Sequence, residues 1–212
     1  MDDRHERTRR SYDAVAADYA EHLAHELDYK PFDRALLASL VEQAPPGLAI
    51  ADLGCGPGHV AGWLANQGGP QAVGIDLSPK MVALAAALNP GASFREGDLC
   101  ALPAADAEFG AAVALYSIIH LAPEELPQAF GEMHRCLAAG GLLLVAFHVG
   151  TEVNHSDEWW GHDVDVDFRF LEVEPVVEVM EAAGFSIKMK ATRVAYPEEA
   201  ATERAYLLAR RA

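Results

Sequence analysis

Apolar positions recur at three- and four-residue steps near the start of the chain, first at Tyr12, Val15, Ala16, Tyr19 and Leu23, then at Phe32, Leu36, Leu37, Leu40 and Val41. That period lays an apolar stripe along a helix, so the spacing predicts a helical N-terminal cap over residues 1–45, stopped by Pro45-Pro46-Gly47. The pattern then changes. Short, continuously apolar runs alternate with helical stretches, and turn residues bound each run. Leu48 to Leu53, Ala72 to Ile75, Ser93 to Arg95, Ala111 to Tyr116 and Leu142 to Phe147 read as strands. Gly58 to Asn66, Pro79 to Leu88 and Pro123 to Leu137 read as helices, with Ser78 as an N-cap and Pro79 at a first helical position.

Strands that are apolar on both faces belong in a parallel sheet covered by helices on both sides. After Val149 the alternation breaks into a polar stretch, Gly150 to Phe168, that holds His155, Trp159, Trp160 and His162 among acidic residues. A helix from Glu174 to Ala183 follows, stopped by Gly184, and then two strands, Phe185 to Val194 and Arg204 to Arg210, joined around Pro197. The expected architecture is a doubly wound α/β fold, a seven-stranded, mostly parallel sheet with a helical N-terminal cap. One domain spans 1–212, divided into the cap (1–45), a ligand-binding half (46–149), a lid segment (150–170) and a C-terminal helix with a strand pair (171–212).

Composition narrows the function classes. Apolar residues make up 51% of the 212 and charged residues 23%, which is a globular balance. Sixteen basic against thirty-two acidic side chains leave a net charge of -16, so nucleic acid and anionic membrane surfaces are not expected partners. The basic cluster of Arg4, Arg7, Arg9 and Arg10, interrupted by Glu6, reads as a solvated helix start. Cys55, Cys100 and Cys136 are far apart and show no metal-type spacing, which fits a reducing cytoplasm. The N-terminus lacks the apolar stretch of a signal peptide, and the longest apolar runs are too short to span a bilayer.

The most informative string is Ile50-Ala51-Asp52-Leu53-Gly54-Cys55-Gly56-Pro57-Gly58-His59, a glycine-rich turn that follows a strand and opens a helix. Glycines there allow a tight turn and close approach of a ligand, while the helix start presents free N–H groups. A dinucleotide-binding turn wants G-x-G-x-x-G, and its third glycine would fall on His59. The spacing present is G-x-G-x-G, with Asp52 two residues ahead.

This string resembles the first motif of the class I S-adenosylmethionine-dependent methyltransferases. Three further stretches are similar to that family: Gly74-Ile75-Asp76-Leu77-Ser78-Pro79, Glu96-Gly97-Asp98-Leu99 with Leu102-Pro103, and Arg135-Cys136-Leu137-Ala138-Ala139-Gly140-Gly141. The last carries Ala139 where the family commonly has proline. The resemblance implies an antiparallel last strand in the sheet. The resemblance implies S-adenosylmethionine as cofactor, held at Gly54, Cys55, Gly56 and Gly58, with Asp52 toward its amine end. It also implies Asp76 on the ribose hydroxyls, Asp98 and Leu99 by the adenine, and Tyr116 and Ser117 at the end of the fourth strand. Leu77 and Met81 are placed against the adenosine, although Met81 at helical spacing is equally a core position. Tyr12 on the N-terminal helix is expected to fold over the cofactor.

The residue types suit that cofactor independently, because carboxylates accept hydrogen bonds from its hydroxyl and amine donors and stay charged beside a sulfonium cation. The expected activity is methyl transfer to an oxygen or nitrogen of a small-molecule acceptor, in which orientation and exclusion of water matter most and a base is optional. His120 and His148, at the ends of the fourth and fifth strands, are the candidate bases, and each has a purely structural reading as well. His155, Trp159, Trp160 and Phe168 are the candidate acceptor contacts. His155 and His162, seven residues apart among scattered acids, make no ligand set, so no metal is expected. A non-catalytic S-adenosylmethionine-binding partner protein and a nicotinamide-dependent reductase are the alternatives.

Overall fold

A computed structural model of the chain describes residues 3–212, so residues 1 and 2 of the expected cap lie outside it. The elements run α1 (Asp3–Leu23), a 3-10 turn (Glu26–Tyr29), α2 (Pro31–Gln43), β1 (Ala49–Leu53), α3 (His59–Ala65), β2 (Ala72–Asp76), α4 (Pro79–Leu88), β3 (Ser93–Glu96) and β4 (Phe109–Leu115). They continue with α5 (Leu126–Cys136), β5 (Leu137–His148), β6 (Val153–Trp159), β7 (His162–Arg169), α6 (Val173–Ala182), β8 (Phe185–Arg193) and β9 (Arg204–Arg211).

Seven strands form one sheet in the order β3-β2-β1-β4-β5-β9-β8. The strands from β3 to β5 pair in parallel, and β9 alone is reversed, antiparallel to both β5 and β8. This is the doubly wound architecture expected from the apolar strands, with the reversed strand inserted beside β5. Apolar side chains fill both faces: Phe130, Met133, Val176 and Met180 from α5 and α6 on one, Leu37, Leu40, Val60 and Leu64 from α2 and α3 on the other. The strand order turns back between β1 and β4, and that reversal opens a crevice at the carboxyl ends of the strands. Among the described residues no helix is long and apolar enough to cross a membrane.

Three elements differ from expectation. The polar stretch after Val149 is a two-stranded antiparallel hairpin, β6–β7, outside the main sheet. Its turn holds Trp160 at φ 53° and Gly161 at φ 79°, and positive φ at both central residues is the geometry that matches strand twist in a tight hairpin. Along β7, Val164 and Val166 are buried while Asp163, Asp165 and Asp167 alternate to the other face, a period of two. The helix expected from Pro123 begins as a 3-10 turn, Pro123–Glu125, because the Glu125 carboxylate folds back to accept the Ala122 N–H. Finally, β5 starts at Leu137, five residues before Leu142, and carries Gly140 at φ 75° within it.

The hairpin and α1 pack together around Val15, Val164 and Val166, with Tyr12, Tyr19, Trp159, Trp160 and Phe168 on the flanks. Polar contacts pin them: Arg7 to Asp165 at 3.0 Å, the Asp165 N–H to Ser11 Oγ at 2.8 Å, and His162 to Asp18 at 2.9 Å. Together they cover the carboxyl ends of β1 and β4.

Candidate functional site

The glycine loop is shaped by two close approaches. Gly54 sits at φ 77°, and a Cβ there would lie 2.3 Å from Ser117 Cβ, so only glycine lets the end of β1 meet the end of β4. Gly58, at φ 82°, leaves room for Phe94 and Ala85, which a Cβ would reach at 2.8 and 2.9 Å. Its job is to seat the start of α3 against β3 and α4. Asp76 closes the loop from the end of β2: its Oδ2 accepts the Gly56 N–H and its Oδ1 the Ser78 N–H, each at 2.8 Å. Asp52, 2% exposed, accepts the Ala61 N–H.

Among the described residues neither Asp52 nor Asp76 forms an ion pair. Desolvation therefore dominates, and it pushes Asp52 up to about 7 and Asp76 up to about 6 against ordinary values of 3.8. Two carboxyls held this way favour a cationic ligand, whose arrival would restore their charge.

A crevice of about 720 Å³ opens beside them, walled by Gly54, Gly56, Asp76, Leu77, Asp98, Leu99, Tyr116 and Ser117 and roofed by His5, Tyr12 and Tyr19 of α1. Ser117 Oγ is buried without a hydrogen-bond partner, and Tyr116 beside it adopts φ 56°, a conformation that costs free energy in a non-glycine residue. Asp98 is already engaged: Oδ1 accepts the Cys100 N–H at 2.8 Å, and Oδ2 meets His5 Nδ1 at 2.6 Å. The other ring nitrogen of His5 meets Glu125 Oε1 at 2.9 Å, so this side chain ties α1 to two loops at once. Sequence reasoning missed His5, which has no motif around it. His5, Asp98 and Cys100 gather ligand-type atoms within 4.8 Å, with the first two hydrogen-bonded to each other.

A second chamber, of about 1080 Å³, lies on the far side of Tyr12, Tyr19, Gly54, Gly56, Leu115 and Tyr116, which line both spaces. Asp52, Cys55, His148, Trp159 and Phe168 face it, together with Glu26, Lys30, His59, Glu199 and Arg204. Here the charges are paired. Lys30 bonds Glu26 at 2.7 Å and lies 3.4 Å from Glu199; His59 bonds Glu26 at 2.9 Å; Arg193 and Arg204 meet Glu199 at 2.6 and 3.2 Å. Burial alone would raise both glutamates, but the His59 and Lys30 contacts on one and the Arg193, Lys30 and Arg204 contacts on the other outweigh it and hold each at about 2.

The two candidate bases stand in different surroundings. The Asp167 carbonyl, 2.9 Å from His120 Nδ1, can only accept, so Nδ1 carries the proton and Nε2, 2.7 Å away, accepts the Tyr12 hydroxyl. Both ring nitrogens are thus engaged within the protein, and burial pushes the ring down to about 4. His148 bonds Thr202 Oγ1 through Nδ1, stacks on Phe170 and is pushed down to about 4 by burial and by the Arg204 and Lys30 cations.

The remaining sequence candidates fall outside both spaces. Met81 is wholly buried with its N–H on the Ser78 cap, and Gly58 is a packing position. Trp160 stacks on Trp159 at 4.8 Å and meets the His22 ring at a tilt, and His155 is exposed and paired with Asp167.

Fold and site together define a Rossmann-like domain whose ligand crevice sits at the switch in strand order. Residues 50–141 match the model of a methyltransferase domain family. Solved structures with the same fold include a magnesium protoporphyrin IX methyltransferase from Synechocystis with bound S-adenosylmethionine, 19% identical, covering 100% of this chain and 99% of that one at a TM-score of 0.76. A 4+2 cyclase is 25% identical over 84% of this chain and 80% of its own, at a TM-score of 0.66. Among curated proteins, a demethylmenaquinone methyltransferase from Chlorobaculum parvum is 34% identical over 96 residues, 45% of this chain and 39% of that one. The chain spans less than half the length of the first curated relatives it matches. Residues 50–141 thus carry a methyltransferase domain, on the fold of S-adenosylmethionine-dependent methyltransferases.

Proposed function

We propose that the chain binds S-adenosylmethionine in the crevice and transfers its methyl group to a small molecule seated in the chamber. The observation that carries this reading is the shared wall: Tyr12, Tyr19, Gly54, Gly56, Leu115 and Tyr116 line both spaces, so a group held in one faces the other across a short gap. The crevice residues fit the cofactor. Asp76 offers carboxylate oxygens to ribose hydroxyls, Ser117 Oγ has hydrogen-bonding capacity to spare, and Asp76, with Asp52 behind the glycine loop, recovers charge beside a cation. A pyrophosphate-bearing dinucleotide would instead face those two carboxyls, which disfavours the reductase alternative.

When bound, the cofactor supplies an electrophilic methyl on a sulfonium that loses its charge on transfer. The protein's part is to orient and to exclude water. The α1 helix and the β6–β7 hairpin form the lid, with Trp159 and Phe168 as its inner surface. Tyr12 and His120 join lid, helix and β4 rim through one hydrogen-bonded chain, so His120 acts as a positioning residue. Asp98, engaged by His5, sets the far wall of the crevice rather than offering a free carboxylate.

Calorimetric titration with S-adenosylmethionine tests the first half; absence of binding by the wild type would overturn it. Transfer of a radiolabelled methyl group over a small-molecule panel tests the second. Cofactor binding without product across that panel would favour a non-catalytic binding protein instead.

A further inference from the structure

His59 is the residue that breaks the dinucleotide pattern, standing where that turn would carry its third glycine, and it opens α3 directly behind the loop on the chamber wall. Its Nε2 lies 2.9 Å from Glu26 Oε1, and the other oxygen of Glu26 accepts from Lys30 Nζ at 2.7 Å. A carboxylate that receives a donor on each oxygen is ionised and can only accept. In the neutral ring Nε2 therefore carries the proton, and Nδ1 is left with a bare lone pair. Among the described residues Nδ1 of His59 is the one buried ring nitrogen without a hydrogen-bond partner. An acceptor left dry in this way costs free energy until a donor reaches it, and the chamber is the space that can bring one.

The other chamber groups are less suited to take a proton. His148 has Nδ1 on Thr202 Oγ1, and a positive charge on its ring would sit beside Lys30 and Arg204, the latter its register partner across β5 and β9. Glu26 and Glu199 are held by cations and are weak bases. Asp52 is 2% exposed and already bonded to the Ala61 N–H. Tyr19 and Cys55, on the same wall, are pushed up by burial and stay protonated. His59 differs from all of these. A proton arriving on Nδ1 leaves an imidazolium with the Glu26 carboxylate on its other nitrogen and Asp52 close enough to sense its charge, so carboxyls from two elements receive it.

We infer that the methyl acceptor is a neutral hydroxyl on a flat, apolar frame, and that His59 Nδ1 takes its proton as the methyl group is transferred. This rests on the chamber being the acceptor site of the proposed function. A hydroxyl oxygen becomes a strong nucleophile only as its proton leaves, whereas a neutral amine attacks through a lone pair it already has and sheds its proton to water afterwards. A fixed lone pair on a dry wall thus assists the first and is idle for the second. The step balances: an oxygen lone pair forms the C–O bond, the C–S bond breaks with its electron pair left on sulfur, and the O–H proton passes to Nδ1. The positive charge moves from the sulfonium to an imidazolium held by Glu26, and the proton leaves to solvent with the product. The rings of Tyr12, Tyr19, Tyr116, Trp159 and Phe168 suit the flat frame.

The test uses the wild-type chain saturated with S-adenosylhomocysteine and two probes of one outline, 4-nitrophenol and 4-nitrotoluene, the phenolate being followed by its visible absorbance. The phenol is expected to bind at least about tenfold more tightly than the toluene, because it alone can donate to Nδ1, and to ionise at least about tenfold more readily than free probe, one pKa unit. Nitrogen NMR of the histidine-labelled chain should show the His59 proton on Nε2 without probe and protons on both nitrogens with it. His59→Asn, whose amide oxygen accepts but is not basic, should keep the binding preference and lose the ionisation shift, while His59→Leu should lose both. The wild-type spectra decide the matter even where a variant fails to fold. Equal binding of the two probes, no binding of the phenol, a bound phenol that ionises no more readily than in water, a lone proton on Nδ1, or a shift that survives in His59→Asn overturns the inference while leaving the cofactor reading intact. A silent calorimetric titration with S-adenosylhomocysteine overturns the cofactor reading instead.

Discussion

The glycine loop and the charged wall of the chamber both bring carboxyl groups out of water, yet they treat them in opposite ways. Around the glycine loop Asp76, on the crevice, and Asp52, which faces the chamber, are desolvated with backbone N–H groups as their hydrogen-bond donors and only a partial offset from His59 at Asp52, and both are held partly protonated at neutral pH. In the chamber Glu26 and Glu199 are also withdrawn from water, but each faces cations on neighbouring elements and stays fully charged. Backbone donors compensate a buried carboxylate only in part, whereas a nearby cation can more than compensate it. The glycine-loop carboxyls Asp52 and Asp76 are thus poised for a positive ligand, and Glu26 and Glu199 complete a scaffold that already stands. Ligand recognition and stability are divided between two sets of carboxyls.

The sharpest way to break this contrast is to neutralise one carboxyl in each space. Glu199→Gln removes the carboxylate shared by Arg193, Arg204 and Lys30, leaving Arg193 with Asp33 and uncovering Arg204, 3% exposed. Loss of one partner from such a network costs about 3–5 kcal/mol, so a large drop in unfolding midpoint is expected by thermal or urea denaturation. Asp76→Asn keeps the shape but removes the charge and one of the two acceptor oxygens, so either the Gly56 or the Ser78 N–H faces an amide NH2. Its main expected cost falls on cofactor affinity, about 100-fold, with a smaller stability loss of about 1–2 kcal/mol. Equal losses of stability in both variants would erase the distinction.

A pH titration sharpens it further without any mutation. Because Asp52 and Asp76 have raised values in the folded chain, the stability of the ligand-free protein falls as pH rises from about 4 toward 7, where the unfolded chain has ionised and the folded one has not. A cationic ligand favours the ionised forms, so its affinity should climb about tenfold between about pH 5 and 7 and its binding should release protons. Calorimetry in buffers of different ionisation heat reads that release directly. Glu26 and Glu199 should add no such slope, since they keep their contribution above about 4.5 and lose it only as pH falls toward about 2.

The same contrast explains what could be read in the sequence. The crevice is built from local signals: a strand, a glycine loop, a helix start and an acid at the end of the next strand lie within residues 49–81, and periodicity and turn chemistry reveal them. The chamber is assembled from Glu26, Lys30, His148, Glu199 and Arg204, which meet only through the fold and carry no spacing rule. His5 was invisible for the same reason, since its partners are 93 and 120 residues away. The β7 strand was legible in principle, as His162-Asp163-Val164-Asp165-Val166-Asp167-Phe168 alternates with period two, but its many acids read as a loop. Trp160-Gly161 is not a familiar hairpin dipeptide, so the turn gave no help. Met81 and Trp160 show the converse limit: residue type placed them near a ligand, and helix or hairpin register points them elsewhere.

Tyr12 borders both spaces, and its hydroxyl is the only part of it that reaches His120 Nε2, at 2.7 Å. Tyr12→Phe keeps the ring in its aromatic cluster with Tyr19 and Trp159 and deletes that single bond. A hydrogen bond of this kind contributes about 1 kcal/mol, so cofactor affinity is expected to fall about fivefold, with turnover at saturating cofactor little changed. A loss of turnover of about 100-fold or more, with affinity intact, would instead make the Tyr12–His120 pair part of the chemistry and return His120 to the role of base. The small expected effect is informative because the bond joins the two regions: if Tyr12 only registers the lid against the β4 rim, its removal loosens the crevice and leaves the charge scaffold of the chamber untouched.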